Sequence, residues 1–299
     1  MSSFSAVDAA FSGFRVARER PLMVAVWAVL MTAVSLGSSL AMISLVGPEL
    51  AAMTAASAAP DPDPQETLRH LAALGPFFAV LLPFSLLYYG VVQAAVNRAV
   101  LRPGDRAMAS LRLGADEVRQ VVVLLVQWLA ILGVYLLAII GVGVAIGVAS
   151  ATGGAKVAIP VGVLAGLAAL ATLIALIVRF SLAGAQTFDT GKINVFGTWR
   201  LTGKRFWPIL GAYLLAFVMA LIVWALVMAI ILAAVVLLGG GLAAVGAIFQ
   251  PDMSSLADFF TPAMIIYELL GGVMSALLLL ISCAPAPTIY RALANDSTV

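Results

Sequence analysis

The chain has 299 residues, of which 63% are hydrophobic and 10% charged, and its net charge is +2. Soluble domains carry roughly a quarter charged residues, so this composition excludes an ordinary water-soluble globule. A single cysteine and a single histidine exclude an intrachain disulfide, a Cys/His metal cluster and most nucleophile–base schemes.

Six apolar runs follow in chain order: 21–46, 71–96, 121–150, 157–178, 209–238 and 263–284. Each has the length of a helical membrane span, roughly 20 residues. They are continuous rather than alternating, which favours helices over barrel strands. The first run begins only at Pro21, after an organised segment, so a retained span is expected rather than a cleaved leader. The small residues of "AASAAP" (55–60) are the competing signal for cleavage. Between the first two runs, 51–67 is small, Pro-rich and acidic and reads as a flexible excursion. Residues 150–156 read as a tight Gly-containing turn. Residues 239–262 are semi-apolar and predict a short surface helix with Asp252 as its N-cap. Pro83 predicts a kink in the second span, and Pro285 with Pro287 a loosened end to the sixth.

All but Arg69 and Lys156 of the 16 cationic side chains fall on one side of these runs. The positive-inside rule then places both termini in the cytoplasm, with 47–70 and 239–262 outside. The outer loops carry acids instead, among them Glu49, Asp63 and Asp258. No dense basic patch beyond this bias points to nucleic acid.

Three segments that precede the odd-numbered spans align: "FSGFRVARER" (11–20), "MASLRLGADEVR" (108–119) and "FGTWRLTGKRFW" (196–207). In each, an arginine (Arg15, Arg112, Arg200) sits between a large apolar residue and an aliphatic one. Stripes at i, i+3, i+7 and i+10 run through Phe4, Val7, Phe11 and Phe14, through Met108, Leu111, Ala115 and Val118, and through Phe196, Trp199, Gly203 and Phe206. The spacing predicts helices over 4–17, 104–118 and 193–206 that lie at the cytoplasmic interface, apolar face down. The expected fold is thus all-α: one integral membrane domain over 1–299, six transmembrane helices and three interfacial amphipathic helices. It forms a threefold internal repeat with units near 4–96, 104–180 and 193–290.

The amphipathic segment before every odd span, the run "WRLTGKRFWPILGAYL" (199–214) and the ending "APAPTIYRAL" (284–293) together resemble a group of bacterial inner-membrane proteins. The group includes the membrane domain found in front of some glycerophosphodiester phosphodiesterases and its stand-alone relatives. The resemblance implies an inner-membrane location and lipid-related work. It carries over no catalytic residue, since no soluble phosphodiesterase domain is expected within these 299 residues.

The candidate sites follow from the rarity of polar groups. Arg15, Arg112 and Arg200 are candidate contacts for anionic lipid, each worth about 1 kcal/mol near an anionic leaflet. The competing reading makes them topology signals alone. Glu268 is the one acidic residue inside a span. It either faces a cavity or partner, or snorkels to the outer interface. Gln93 and Gln127 lie in the cytoplasmic thirds of spans two and three, where a hydrogen bond across that hairpin or a ligand site are the alternatives. Gly143/Gly147, Gly162/Gly166 and Gly272/Ala276 are small-xxx-small pairs that permit close helix contact.

No phosphate-binding loop, HExxH, Gly-x-Ser-x-Gly or paired-Asp motif is present. The expected function is a non-catalytic integral membrane protein, without cofactor or metal. It handles lipids, organises the membrane or docks a protein partner at the cytoplasmic face. The alternative is a small-solute or lipid transporter with a cavity between repeats.

Overall fold

The structure is a computed structural model that describes residues 4–57, 63–105, 108–253 and 255–296. Among the described residues all regular structure is helical. Two short helices, α1 (Ala6–Ala10) and α2 (Ser12–Glu19), lead into α3 (Pro21–Ser57). Then come α4 (Pro64–Ala73), α5 (Gly75–Leu101), α6 (Ala115–Gly153), α7 (Ala155–Phe180), α8 (Ala183–Thr190) and α9 (Thr198–Gly203). The chain ends with α10 (Phe206–Leu238), α11 (Leu242–Phe249), α12 (Leu256–Phe259), α13 (Pro262–Cys283) and α14 (Pro285–Asp296). Among the described residues six helices are long and apolar enough to cross a membrane: α3, α5, α6, α7 continued by α8, α10, and α13 continued by α14.

The expected spans are all present and mostly longer. α3 has 37 residues and α6 has 39, about 55 Å each at 1.5 Å per residue. Both outrun a hydrocarbon core of about 30 Å. The expected flexible excursion is largely helical, because α3 continues to Ser57 and α4 starts at Pro64, where the Asp63 side chain accepts from the Gln65 N–H. Residues 58–62, and with them part of the "AASAAP" stretch, lie outside the described residues. The turn at 150–156 is as expected, with Gly154 at φ 63° between α6 and α7. Residues 239–262 hold two helices rather than one, and Ser255, not Asp252, caps the second by accepting from the Asp258 N–H. Pro83 lies within an uninterrupted α5.

The aligned segments differ from one another. The first is helical, broken at Phe11, and buries its small face: Ala9, Ala10, Ser12 and Gly13. A Cβ at Gly13 would stand 2.5 Å from the Leu280 carbonyl oxygen, so α2 lies directly on α13. Val7 and Phe11 of the expected stripe face outward. The second segment is not an α-helix at its described residues 104, 105 and 108–114. It makes one tight turn at Met108–Ser110, with Ala109 and Ser110 in left-handed backbone, and α6 starts only at Ala115. The reason is competition for the backbone: the Trp27 Nε1–H donates to the Ala109 carbonyl and Arg98 Nη1 to the Ser110 carbonyl. The third segment is helical only over Thr198–Gly203. Before it, Gly191 is left-handed and the Asn194 side chain takes the Gly197 N–H, a local bond that replaces a helical one.

Three helices converge near the end of the bundle that holds both termini. There Met23, Trp27 and Met31 of α3 pack on Val92 and Val96 of α5 and on Leu280 of α13. Beside them, Ala9 of α1 sits with Leu182, Ile209, Ile289 and Leu293, joining the two ends of the chain. Towards the opposite end α3 stays with α13, where a Cβ on Gly272 would collide with the Thr32 side chain. There α3 and α5 part.

Candidate functional site: a lateral groove and a buried polar node

The parting of α3 and α5 leaves a groove. Its lower chamber, about 540 Å³, lies among Met31, Val34, Tyr88, Tyr89, Ser275 and Ser282. Above it a chamber of about 470 Å³ runs between Val34, Ser38 and Leu45 of α3 and Phe77, Val80 and Phe84 of α5. A third, about 280 Å³, reaches Leu50, Leu74 and Phe78. Ser38 borders all three. Val34 to Leu50 is 16 steps of helix, about 24 Å. Ala33, Leu45, Val80 and Phe84 are exposed, so the groove opens sideways. It closes at the far end, where buried Leu74 joins α4 to α5 and His70 Nδ1 lies 2.8 Å from a Glu49 carboxylate oxygen.

Glu268 belongs to the neighbourhood of this groove. It is buried, at 6% exposure, and accepts a long hydrogen bond of 3.4 Å from the Ser39 hydroxyl. Ser39 itself lines the groove. Glu268 therefore faces α3 within the bundle instead of snorkelling outward.

A second polar feature sits at the terminal end. Arg98, on the last turn of α5, is 1% exposed and paired with Glu117 on the first turn of α6, itself 2% exposed. Asp105 lies 3.4 Å from Arg98 Nε. Arg102 donates to the Phe188 carbonyl at 2.9 Å, and its guanidinium stacks 4.5 Å from the Phe188 ring centroid. Asp116 accepts from Arg119 at 2.7 Å and from Arg102 at 3.3 Å. Buried charges persist only when paired, because the low dielectric that penalises each ion strengthens their attraction. This node roots α6 on α5 and α8.

The predicted glutamines join the same region in a different way than expected. They do not bond to each other. Gln127 Nε2 donates to the Phe180 carbonyl at 2.7 Å, at the end of α7. Gln93 lies beside Gly184 of α8, where a Cβ would come within 3.0 Å of its Nε2, and Gln120 Nε2 donates to the Gly184 carbonyl at 2.8 Å. Gln120 and Gln127 therefore tie the third span to the end of the fourth, with Gln93 of the second span packed beside Gly184.

Arg15, Arg112 and Arg200 are exposed on α2, on the loop before α6 and on α9. None of the three side chains makes a hydrogen bond or ion pair with a described residue. Around Arg200 the aromatic residues Phe196 and Trp199 point outward and cluster with Phe180 at ring-centroid distances of 5.5 and 5.8 Å. The opposite face is buried, with the Thr198 hydroxyl donating to the Arg179 carbonyl at 2.7 Å and Thr202 to Thr198.

Sequence reasoning missed Arg98, which counts as one more cation in the topology bias. The available signal was its company. Gln93, Asn97 and Arg98 are polar within the last turns of an apolar run, and Glu117, Gln120 and Gln127 recur along the next. No protein-family model, curated protein or solved structure matches the chain.

Proposed function

We propose that this chain is a non-catalytic, multi-pass protein of a bacterial inner membrane that holds lipid in the groove between α3 and α5. The groove carries the proposal. It is mainly apolar, opens sideways along helices long and apolar enough to cross a membrane, and is longer than one leaflet's share of a core of about 30 Å. An acyl chain has that shape and that surroundings. Lipid tails are as apolar as leucine, so the gain comes from shape and van der Waals contact, not from escape from water. The charge bias supports cytoplasmic termini. The outward aromatic faces of the first and third aligned segments support an interfacial position for α1, α2 and α9. The resemblance to the membrane domain of glycerophosphodiester phosphodiesterases, and with it the repeat, belongs to the same reading.

Transport is the second reading, favoured by one contact: Ser39 lines the groove and donates to the buried Glu268. A carboxylate at membrane depth is a functional candidate by default. The apolar lining weighs towards lipid.

The test is to plug the groove. Ser38→Trp places an indole at the position common to all three chambers. Phospholipid bound to protein purified in mild detergent is counted by native mass spectrometry, with Gly143→Trp on α6 as control. We expect Ser38→Trp to lose bound lipid that the control retains. Equal retention in both, with both folded, would sink the groove as the lipid site.

A further inference from the structure

We propose that a second cavity, at the start of α3, binds the headgroup of a zwitterionic aminophospholipid, with its phosphate on Arg20 and its ammonium on Glu19. The proposal rests on the membrane reading above but not on the groove.

The cavity, about 460 Å³, is bounded by Glu19, Arg20, Leu22, Val26, Ala109 and Ser110. It has a polar wall and an apolar floor, the two halves of a lipid. Arg20 is fixed in place: Nη2 donates to the Pro103 carbonyl at 2.8 Å and Nη1 to the Ser110 hydroxyl at 3.4 Å. A guanidinium has five N–H donors in a planar fork, so three remain, and that fork suits phosphate oxygens. Ser110 accepts from Arg20 and keeps its own proton to donate.

The facing wall is held in an unusual backbone. Ala109 and Ser110 both have positive φ, 51° and 61°. For non-glycine residues this conformation is sparsely populated and persists where its surroundings over-determine it. Trp27 and Arg98 hold the two carbonyls at 2.9 and 2.6 Å. The strained turn is what turns Ser110 towards Arg20.

Glu19 selects among headgroups. It is exposed, and no described residue pairs with it. It is also the last residue of α2, where a carboxylate meets the negative end of the helix dipole. An ammonium bound there offsets both the charge and the dipole, whereas a second negative charge is repelled. Leu22, 78% exposed on the first turn of α3, and Val26 one turn further flank the path of an acyl chain.

The experiment titrates delipidated full-length protein, in detergent, with dioleoyl phosphatidylethanolamine, phosphatidylglycerol and phosphatidylcholine, read by native mass spectrometry. Glycerophosphoethanolamine, the headgroup without chains, is the competitor. The wild type should prefer phosphatidylethanolamine, because a primary ammonium donates to a carboxylate and a quaternary one does not. Glu19→Gln should cut that preference over phosphatidylglycerol by about two- to fivefold, the worth of one partly exposed charge pair. Leu22→Trp, which fills the cavity from an exposed position, should weaken all three lipids without unfolding the protein. An unchanged lipid ratio in Glu19→Gln would overturn the proposal. Competition by the chain-free headgroup as tight as the lipid would overturn the lipid assignment. Ser38→Trp separates this site from the groove: loss of the headgroup preference there, with Glu19→Gln silent, would sink this site and leave the groove standing.

Discussion

The α6–α7 hairpin and the α13–α14 helix pair are both built for a membrane, yet the structure treats them oppositely. The most apolar stretches of α6 and of α7 with α8 have mean hydropathy 2.7, and 0% and 6% of their residues are buried in the protein. The corresponding stretch of α13–α14 is less apolar, at 2.2, and 39% of it is buried. Hydropathy thus reports the solvent a helix needs, not the neighbours it has. What distinguishes α13 is small residues placed against a partner: Ala276 is fully buried, and Gly272 lets α3 approach until a Cβ would lie 2.6 Å from the Ala28 carbonyl oxygen. Gly143 and Gly147 of α6 have no such role, for nothing lies within 4 Å of a Cβ position at either. Side chains that another protein helix would cover elsewhere are left exposed here.

The largest expected effect lies where the bare hairpin is rooted. Arg98→Ala leaves Glu117 buried and unpaired, which costs about 3–5 kcal/mol. Thermal melting of purified protein in detergent, or its yield of monodisperse material, should show the loss. Replacing both partners by apolar residues, Arg98→Met with Glu117→Leu, should recover most of it, since a buried pair is often replaceable as a unit. A single Arg98→Ala that melts with the wild type would mean that the node does not anchor α6.

The second effect tests the seam itself. Gly272→Leu forces a side chain into Thr32 and the Ala28 carbonyl, at a cost of about 1–3 kcal/mol or more. Gly143→Leu meets open space and removes a poor helix former, so it should leave the melting temperature unchanged or slightly raised. The ratio between these two variants is the measurement. Equal destabilisation would show that a protein surface covers α6 at Gly143 after all.

Much of this contrast was illegible in the sequence, for a definable reason. The spans themselves were legible because each is a long run whose length has one physical use. Partner choice was not, because a glycine four residues from another small residue looks the same whether or not a helix faces it. Gly272 with Ala276 lies in a seam, Gly162 meets Ile146, and Gly143 with Gly147 meets nothing. Arg98 was hidden by the same degeneracy. A cation at the end of a span reads as a topology signal, and only the fold brings Glu117 to it from the next helix. The segment 104–118 misled through its periodicity. Its apolar spacing is real, but two carbonyls at its centre are claimed by Trp27 and Arg98, and a long-range donor outranks a local stripe. Glu268 was legible as unusual, while its contact with Ser39, 229 residues away, was not.

The smallest effect tests the contrast most directly. Leu137 and Ile140 are among the most exposed large side chains of α6, at 69% and 61%. Were α6 in water, such exposure would be an aggregation hazard, and were it covered by protein, truncation would open a cavity costing about 2–5 kcal/mol. In a bilayer neither applies. The side chain is in lipid when the helix is packed and in lipid when it is not, so its transfer term cancels. Leu137→Ala and Ile140→Ala should therefore lie within about 0.5 kcal/mol of the wild type, measured by reversible unfolding in lipid bicelles. The same variants should leave the mass of the purified species in detergent unchanged. A loss of several kcal/mol, or a shift from a larger species to a smaller one, would mean that a protein surface covers the hairpin, and the reading of α6 and α7 as lipid-facing would have to be abandoned.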